Sequence, residues 1–233
     1  MTSTLSKQTT IDFNQARQNM VDGQVRTNKV TDHALIRQMR RIPRELFVPP
    51  ELRSTCYVDA DLRLPNGRFL LEPMVLARLI QSADIKPNDR VLDVGCATGY
   101  STALIAGLGA LVLGIEEDRK LIADAVPIHE ELEVGNTVFA VAPLLDGYPT
   151  NAPYDVIIVN GAVAELPTKL FDQLADNGRL LCIWRDPSDG AIPLTVGKAM
   201  IYQKSNNVVS GRALFDAASP YIVPLSRKQK FVF

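Results

Sequence analysis

The stretch Arg90-Val91-Leu92-Asp93-Val94-Gly95 limits the fold more than any other feature of the chain. Its consecutive apolar residues suit a strand covered on both faces, the usual state in a parallel sheet, and it runs straight into small residues and a helical pattern. The alternation then continues. Strands are expected over 111–115, 137–141, 154–160 and 179–184, with helices over 118–132, strained by Pro127, and over 167–175. Strands that alternate with helices wind into an α/β doubly wound, mostly parallel sheet through right-handed crossovers. Residues 195–203 and 208–215, joined by Ser205-Asn206-Asn207, read as a C-terminal antiparallel hairpin.

Upstream, residues 12–42 carry Phe13, Met20, Val21, Leu35, Ile36 and Met39 at helical spacing, and Thr31 reads as the N-cap of a second helix. Pro43, Pro49 and Pro50 end that pattern. Residues 56–73 read as irregular, with a turn at Pro65-Asn66-Gly67, and Pro73 can open a helix whose Val75, Leu76, Leu79 and Ile80 face one way. The expected organisation is an N-terminal helical and loop extension over 1–85 packed on a core over 86–233, one domain overall. At 233 residues, 46% hydrophobic and 22% charged, the chain can bury such a core.

A formal net charge of -1 gives no bulk field to recruit nucleic acid or an anionic membrane, so neither is an expected partner. Cys56, Cys96 and Cys182 lack the paired spacing of a metal site or redox dithiol and read as buried free thiols; no metal is expected. The N-terminus has no apolar secretory core and no run approaches the ~20 apolar residues of a membrane span, so a cytoplasmic location is expected.

Gly95-x-Ala97-x-Gly99 lies between a strand and a helix, where a ligand can approach bare backbone, and Glu116 ends the next strand 21 residues after Gly95. At that spacing an acidic side chain can accept hydrogen bonds from both ribose hydroxyls. A dinucleotide site would show G-x-G-x-x-G with a pyrophosphate at the helix N-terminus. Here Asp93 precedes the turn, and its carboxylate suits the amino-acid end of S-adenosylmethionine better than a pyrophosphate. The pattern is that of a Rossmann-like class I S-adenosylmethionine-dependent methyltransferase fold. The plainer alternative keeps Gly95 and Gly99 as turn residues and Glu116, with Glu117 and Asp118, as solvated carboxylates.

Further stretches resemble the protein-L-isoaspartate O-methyltransferase family: Met20-Val21-x-x-Gln24-Val25-Arg26, Ile42-Pro43-Arg44-Glu45-Leu46-Phe47-Val48-Pro49, Tyr57-x-Asp59, the segment from Val91 to Tyr100, Ala152-Pro153-Tyr154-Asp155, Leu166-Pro167, Gln173-Leu174 and Gly178-Arg179-Leu180. Val223-Pro224-Leu225-Ser226 is similar to the family's closing segment. The resemblance implies methyl transfer from S-adenosylmethionine to the carboxylate of an L-isoaspartyl residue in a protein or peptide, and hence protein repair. It implies a cofactor site at Asp93, Gly95, Ala97, Gly99, Tyr100, Glu116, Glu117, Pro143 and Leu144, and an acceptor side at Phe69, Leu70, Leu71 and Glu72. A carboxylate is already ionised at neutral pH, so positioning groups, and no general base, are required.

The sequence departs from the family at both ends of that site. The family loop Gly-Gln-Thr-Ile-Ser-Gln-Pro aligns on Gly67-Arg68-Phe69-Leu70-Leu71-Glu72-Pro73, so both hydroxyl residues are replaced. Losing a hydrogen bond to the acceptor carboxylate costs about 1.5–3 kcal/mol. The family's adenine-reading Gly-Asp-Gly aligns on Ala142-Pro143-Leu144, with Asp146 as a substitute only if the loop is rebuilt, and Ala97 replaces a glycine, tolerable at negative φ. Three readings stay open: isoaspartyl methylation, methylation of another acceptor such as a hydrophobic small molecule or a different protein site, and a catalytically retired binding module. His33 and His129 are expected in surface or boundary roles and Arg37, Arg40, Arg41 and Arg44 on a solvated helix face, while Trp184 and Arg185 rim the pocket or pack.

Overall fold

The computed structural model describes residues 11–64, 66–165, 167–186 and 196–222. Residues 1–10, Pro65, Leu166, Thr195 and Val223-Pro224-Leu225-Ser226, which entered the sequence expectations, lie outside them. Nine strands are described: β1 (Leu62–Arg63), β2 (Phe69–Leu70), β3 (Arg90–Val94), β4 (Leu111–Glu116), β5 (Thr137–Val141), β6 (Tyr154–Val163), β7 (Leu174–Trp184), β8 (Gly197–Ser205) and β9 (Val208–Ala217). The helices are α1 (Phe13–Met20), α2 (His33–Arg41), α3 (Pro73–Ala83), α4 (Tyr100–Ala106), α5 (Arg119–Glu131) and α6 (Thr168–Asp172).

A seven-stranded sheet runs in the order β5-β4-β3-β6-β7-β8-β9. The five strands from β5 to β7 are parallel, and β8 and β9 close the edge as an antiparallel pair. Asn206 and Asn207 between them both have positive φ, 49° and 63°, the left-handed backbone that a two-residue hairpin turn needs. β3 is buried at every residue from Val91 to Val94, as its apolar run predicts. Successive side chains point to opposite faces: Val91 and Ile158 join one core with Leu79 and Leu104, while Leu92, Ile157 and Val159 join the other with Leu144 and Leu170. Met20, Val25, Leu35 and Met39 belong to the first of these cores, so the N-terminal helices cover one sheet face.

Several boundaries differ from expectation. The helical pattern over 12–42 is broken by a π-helical turn (Val21–Val25) and by Lys29 at a φ of 66°, and the N-cap of α2 is Asp32, not Thr31; its carboxylate accepts from the Ala34 and Leu35 amides. α5 passes through Pro127 unbroken. The expected helix over 167–175 is only five residues long, because β7 already begins at Leu174, opposite Tyr154. The irregular stretch contains the short antiparallel ribbon β1-β2. No helix among the described residues is long and apolar enough to cross a membrane, and the three cysteines are unpaired and buried.

Candidate functional site

From β3 the chain moves outward through β4 and β5, then returns to place β6 on the other side of β3. The reversal opens a crevice at the carboxyl ends of these strands, the usual ligand position in an open α/β sheet. The turn after β3 lies there. Gly95 (φ 72°) and Gly99 (φ 90°) adopt left-handed backbone, and a side chain on Gly99 would start 2.7 Å from His129 Nε2. Ala97 is also left-handed, at a φ of 50°, which corrects the expectation of a negative angle; the winding aims its amide at Glu116 Oε2, 3.3 Å away. Such a conformation costs a residue with a Cβ about 1–2 kcal/mol.

His129 is buried rather than superficial. Nε2 donates to the Gly99 carbonyl at 3.0 Å and Nδ1 faces the Thr137 hydroxyl at 3.1 Å, so α5 braces the turn. Burial outweighs the carbonyl contact and holds the imidazole below its usual pKa, in its neutral form.

Asp93, the last residue but one of β3, has no exposed surface. Its Oδ2 accepts from Ser101 Oγ (2.7 Å) and Thr102 Oγ1 (2.6 Å), and its Oδ1 from Asn160 Nδ2 (2.6 Å). The carboxylate therefore ties β3, the first turn of α4 and β6 together, and burial raises its pKa despite those donors. Ser101 and Thr102 serve Asp93 more than the helix terminus. Asn160 escapes sequence reasoning except as the polar residue ending the apolar run 156–159.

Glu116 is fully buried at the tip of β4. The Arg68 Nε donates to its Oε1 at 2.8 Å, the Nη2 of the same guanidinium lies 2.8 Å from that oxygen, and the Glu117 amide donates to it at 2.8 Å. Glu117 itself is half-exposed and accepts from the Leu144 amide at 3.2 Å. Leu144, just after Pro143, is buried, and its Cδ1 comes to 3.8 Å from where a Cβ on Gly95 would stand. Asp146 pairs with Lys169 at 2.6 Å, both side chains exposed. Tyr100 is buried under the guanidinium of Arg44, 4.8 Å from its ring centroid. The space left between Phe69, Leu71, Gly95, Tyr100 and Asn160 is a cavity of only about 10 Å³.

In the loop that aligns with the family's Gly-Gln-Thr-Ile-Ser-Gln-Pro, Phe69, Leu70 and Leu71 are buried. Arg44, expected on a solvated face, is buried too, because its guanidinium donates to the Cys56 and Leu71 carbonyls at 2.8 and 2.9 Å. Glu72 follows, its amide donating to Asp61 Oδ1 at 2.8 Å. Burial first, then the charges of Asp59 and Asp61, push its carboxyl up to about 7. Burial likewise raises Asp61 to about 6. A carboxyl whose pKa is higher folded than unfolded adds stability below the unfolded value, and that stability is lost as pH rises through the folded one. Glu72→Gln is therefore expected to gain on wild type between pH 5 and 8, by roughly 1 kcal/mol once screening by the water that reaches Glu72 is allowed for. Urea midpoints at the two pH values measure this; a difference independent of pH would mean that Glu72 is not strained by its neighbours.

The sequence profile of protein-L-isoaspartate(D-aspartate) O-methyltransferases matches residues 15–189, three quarters of the chain. The chain belongs to this family. The protein-L-isoaspartate O-methyltransferase of Koribacter versatilis is 38% identical over 165 residues, 71% of this chain and 74% of that one. That of Methanoculleus marisnigri is 36% identical over 165 residues, 71% and 75% of the two chains. Among solved structures, one protein-L-isoaspartate O-methyltransferase aligns with a TM-score of 0.74 at 24% identity; the match covers 88% of this chain and spans 65% of that one. A beta-aspartate methyltransferase (PCMT) of Plasmodium falciparum, in complex with S-adenosyl-L-homocysteine, aligns with a TM-score of 0.70 at 20% identity, covering 92% and 99%. At these identities the two structures speak for a shared methyltransferase fold. The family landmarks serve the fold as well: Gln24 Nε2 donates to the Tyr57 carbonyl at 2.8 Å, and Arg17 and the Tyr57 hydroxyl both reach Glu45.

Proposed function

We propose that this chain is an S-adenosylmethionine-dependent methyltransferase acting on an L-isoaspartyl carboxylate of a protein or peptide, in the cytoplasm, with residues 1–85 serving as an extension of the catalytic core. The observation that carries the reading is the union, at the reversal point of the sheet, of a bare glycine turn with a buried carboxylate at the tip of the adjacent strand, in a chain that belongs to the isoaspartyl methyltransferase family. The donor set fits the cofactor chemically. Glu116 would take the ribose hydroxyls, Leu144 and Pro143 the adenine face, Glu117 and Tyr100 would border the site, and the turn Gly95-Ala97-Gly99, shaped by Asp93, would lie against the amino-acid end. When bound, the group supplies an electrophilic methyl on a sulfonium.

The chain's own task is to orient and to exclude water. Phe69, Leu70 and Leu71 present an apolar wall where the family loop carries two hydroxyl residues, which raises the electrostatic strength of any contact made beside it. That wall also favours a second reading, transfer to an acceptor less polar than a carboxylate. Incubating the purified chain with labelled S-adenosylmethionine and an isoaspartyl peptide tests the first reading. The expected product is a base-labile methyl ester that releases methanol, at a rate about one to two powers of ten below that of a relative with the loop hydroxyl. Cofactor binding without any ester would leave the cofactor site standing and reject the isoaspartyl acceptor.

A further inference from the structure

With Arg68 on Oε1, Glu116 has no room for both ribose hydroxyls. A carboxylate oxygen has two lone pairs, and Oε1 already faces Arg68 Nε and Nη2 and the Glu117 amide, while Oε2 takes the Ala97 amide. The guanidinium is held from a second side as well, because its Nη1 donates to the Ile222 carbonyl. Ile222 is itself pinned to the end of β6. Its amide donates to the Ala162 carbonyl at 2.8 Å, and the Ala162 amide donates to Pro220 at 2.9 Å, forming a short bridge beside the sheet. From there the Ile222 side chain crosses the glycine turn: a Cβ on Gly95 would lie 2.5 Å from its Cδ1. Gly161 lets the same residue and Phe69 close in, each 3.0 Å from the position its own Cβ would take. Asn66 Nδ2, bonded to Asp118 at 2.6 Å, anchors the Arg68 loop to the N-cap of α5, just beyond Glu116.

We propose that Arg68 and Ile222 form an internal plug in the cofactor cleft, Arg68 standing on the ribose-reading Glu116 and Ile222 on the bare backbone of Gly95, so that cofactor binds only as both withdraw. The proposal rests on the cofactor reading above and adds to it the residues that set affinity. A protein whose competent state is a minor fraction binds with an apparent dissociation constant raised by the inverse of that fraction. Removing the plug should remove that factor. Where the family loop carries glutamine, this chain carries Arg68, so Arg68→Gln is a minimal way to free Glu116.

The test is a calorimetric titration of the full chain with S-adenosylhomocysteine, for wild type, Arg68→Gln, Ile222→Ala and the pair, each first shown to unfold cooperatively. Each single variant is expected to bind at least tenfold more tightly than wild type and the double variant more tightly still, with Glu116→Gln cancelling the gain. Hydrogen exchange on wild type provides a readout that needs no variant: saturation with the ligand should speed exchange of the Ile222 amide. Micromolar binding by wild type that the variants do not improve, with the Ile222 amide still protected, would overturn the plug and leave the cofactor reading intact. No binding at millimolar ligand by wild type or by the folded opened variants would overturn both.

Discussion

Arg44→Ala should cost about 3–5 kcal/mol of stability, the range expected when a buried charge-bearing group and its contacts are removed together. The side chain has no exposed surface, donates to the carbonyls of Cys56 and Leu71, and lies over the Tyr100 ring. Truncation orphans two buried acceptors, each worth about 1–3 kcal/mol, and opens a cavity the surrounding core cannot fully close. In a chain of this size the loss corresponds to a fall in Tm of about 10 °C. Arg44→Met separates the two causes, since it keeps most of the volume and removes the burial of charge along with the hydrogen bonds. It should fall between wild type and alanine. Thermal and urea unfolding of the three proteins measures the order, and a loss under about 1 kcal/mol for Arg44→Ala would show that the loop from Cys56 to Leu71 does not depend on this residue.

That burial illustrates where the sequence is legible and where it is not. β3, the glycine turn and Glu116 form a local grammar: an apolar run covered on both faces, residues that accept positive φ, and an acid at a strand tip. Each can be read from neighbours within a few positions, and so could the terminal hairpin from its two asparagines. Arg44 reads locally as one more basic residue after a helix, because what buries it is the carbonyl of Leu71, brought close only by tertiary folding. The same reason hides the Arg68 to Glu116 pair, 48 residues apart, and the contact between Ile222 and Gly95. The shortened α6 was hidden differently. Its helical residues and the start of β7 overlap in periodicity, and pairing of Leu174 with Tyr154 decides for the strand. Ala97 shows that even a correctly placed turn can hide its geometry: a single methyl does not prevent positive φ where an amide gains a carboxylate partner.

Asp93→Ala should be of similar severity, about 3–5 kcal/mol, for a different reason. Three donors converge on one fully buried carboxylate, at 2.6 Å from Thr102 and Asn160 and 2.7 Å from Ser101. Alanine strands all three at the junction of β3, α4 and β6, so the damage should concentrate in the turn that separates these elements. Asp93→Asn is the sharper probe. It keeps the volume and one acceptor and removes the cost of burying a charge, while its amide must find an acceptor among side chains that now all donate; Ser101 and Thr102 can rotate to supply one, Asn160 only by flipping its amide. The asparagine variant should therefore lose less than half of what alanine loses. Because Asp93 sets the turn on which the cofactor would rest, S-adenosylhomocysteine affinity should also fall in Asp93→Asn by more than its stability loss would explain at a temperature where the variant remains folded. Calorimetry beside urea unfolding resolves the two effects. If affinity held at the wild-type value while stability dropped, Asp93 would be a fastener of the sheet alone, and the turn would keep its shape without it.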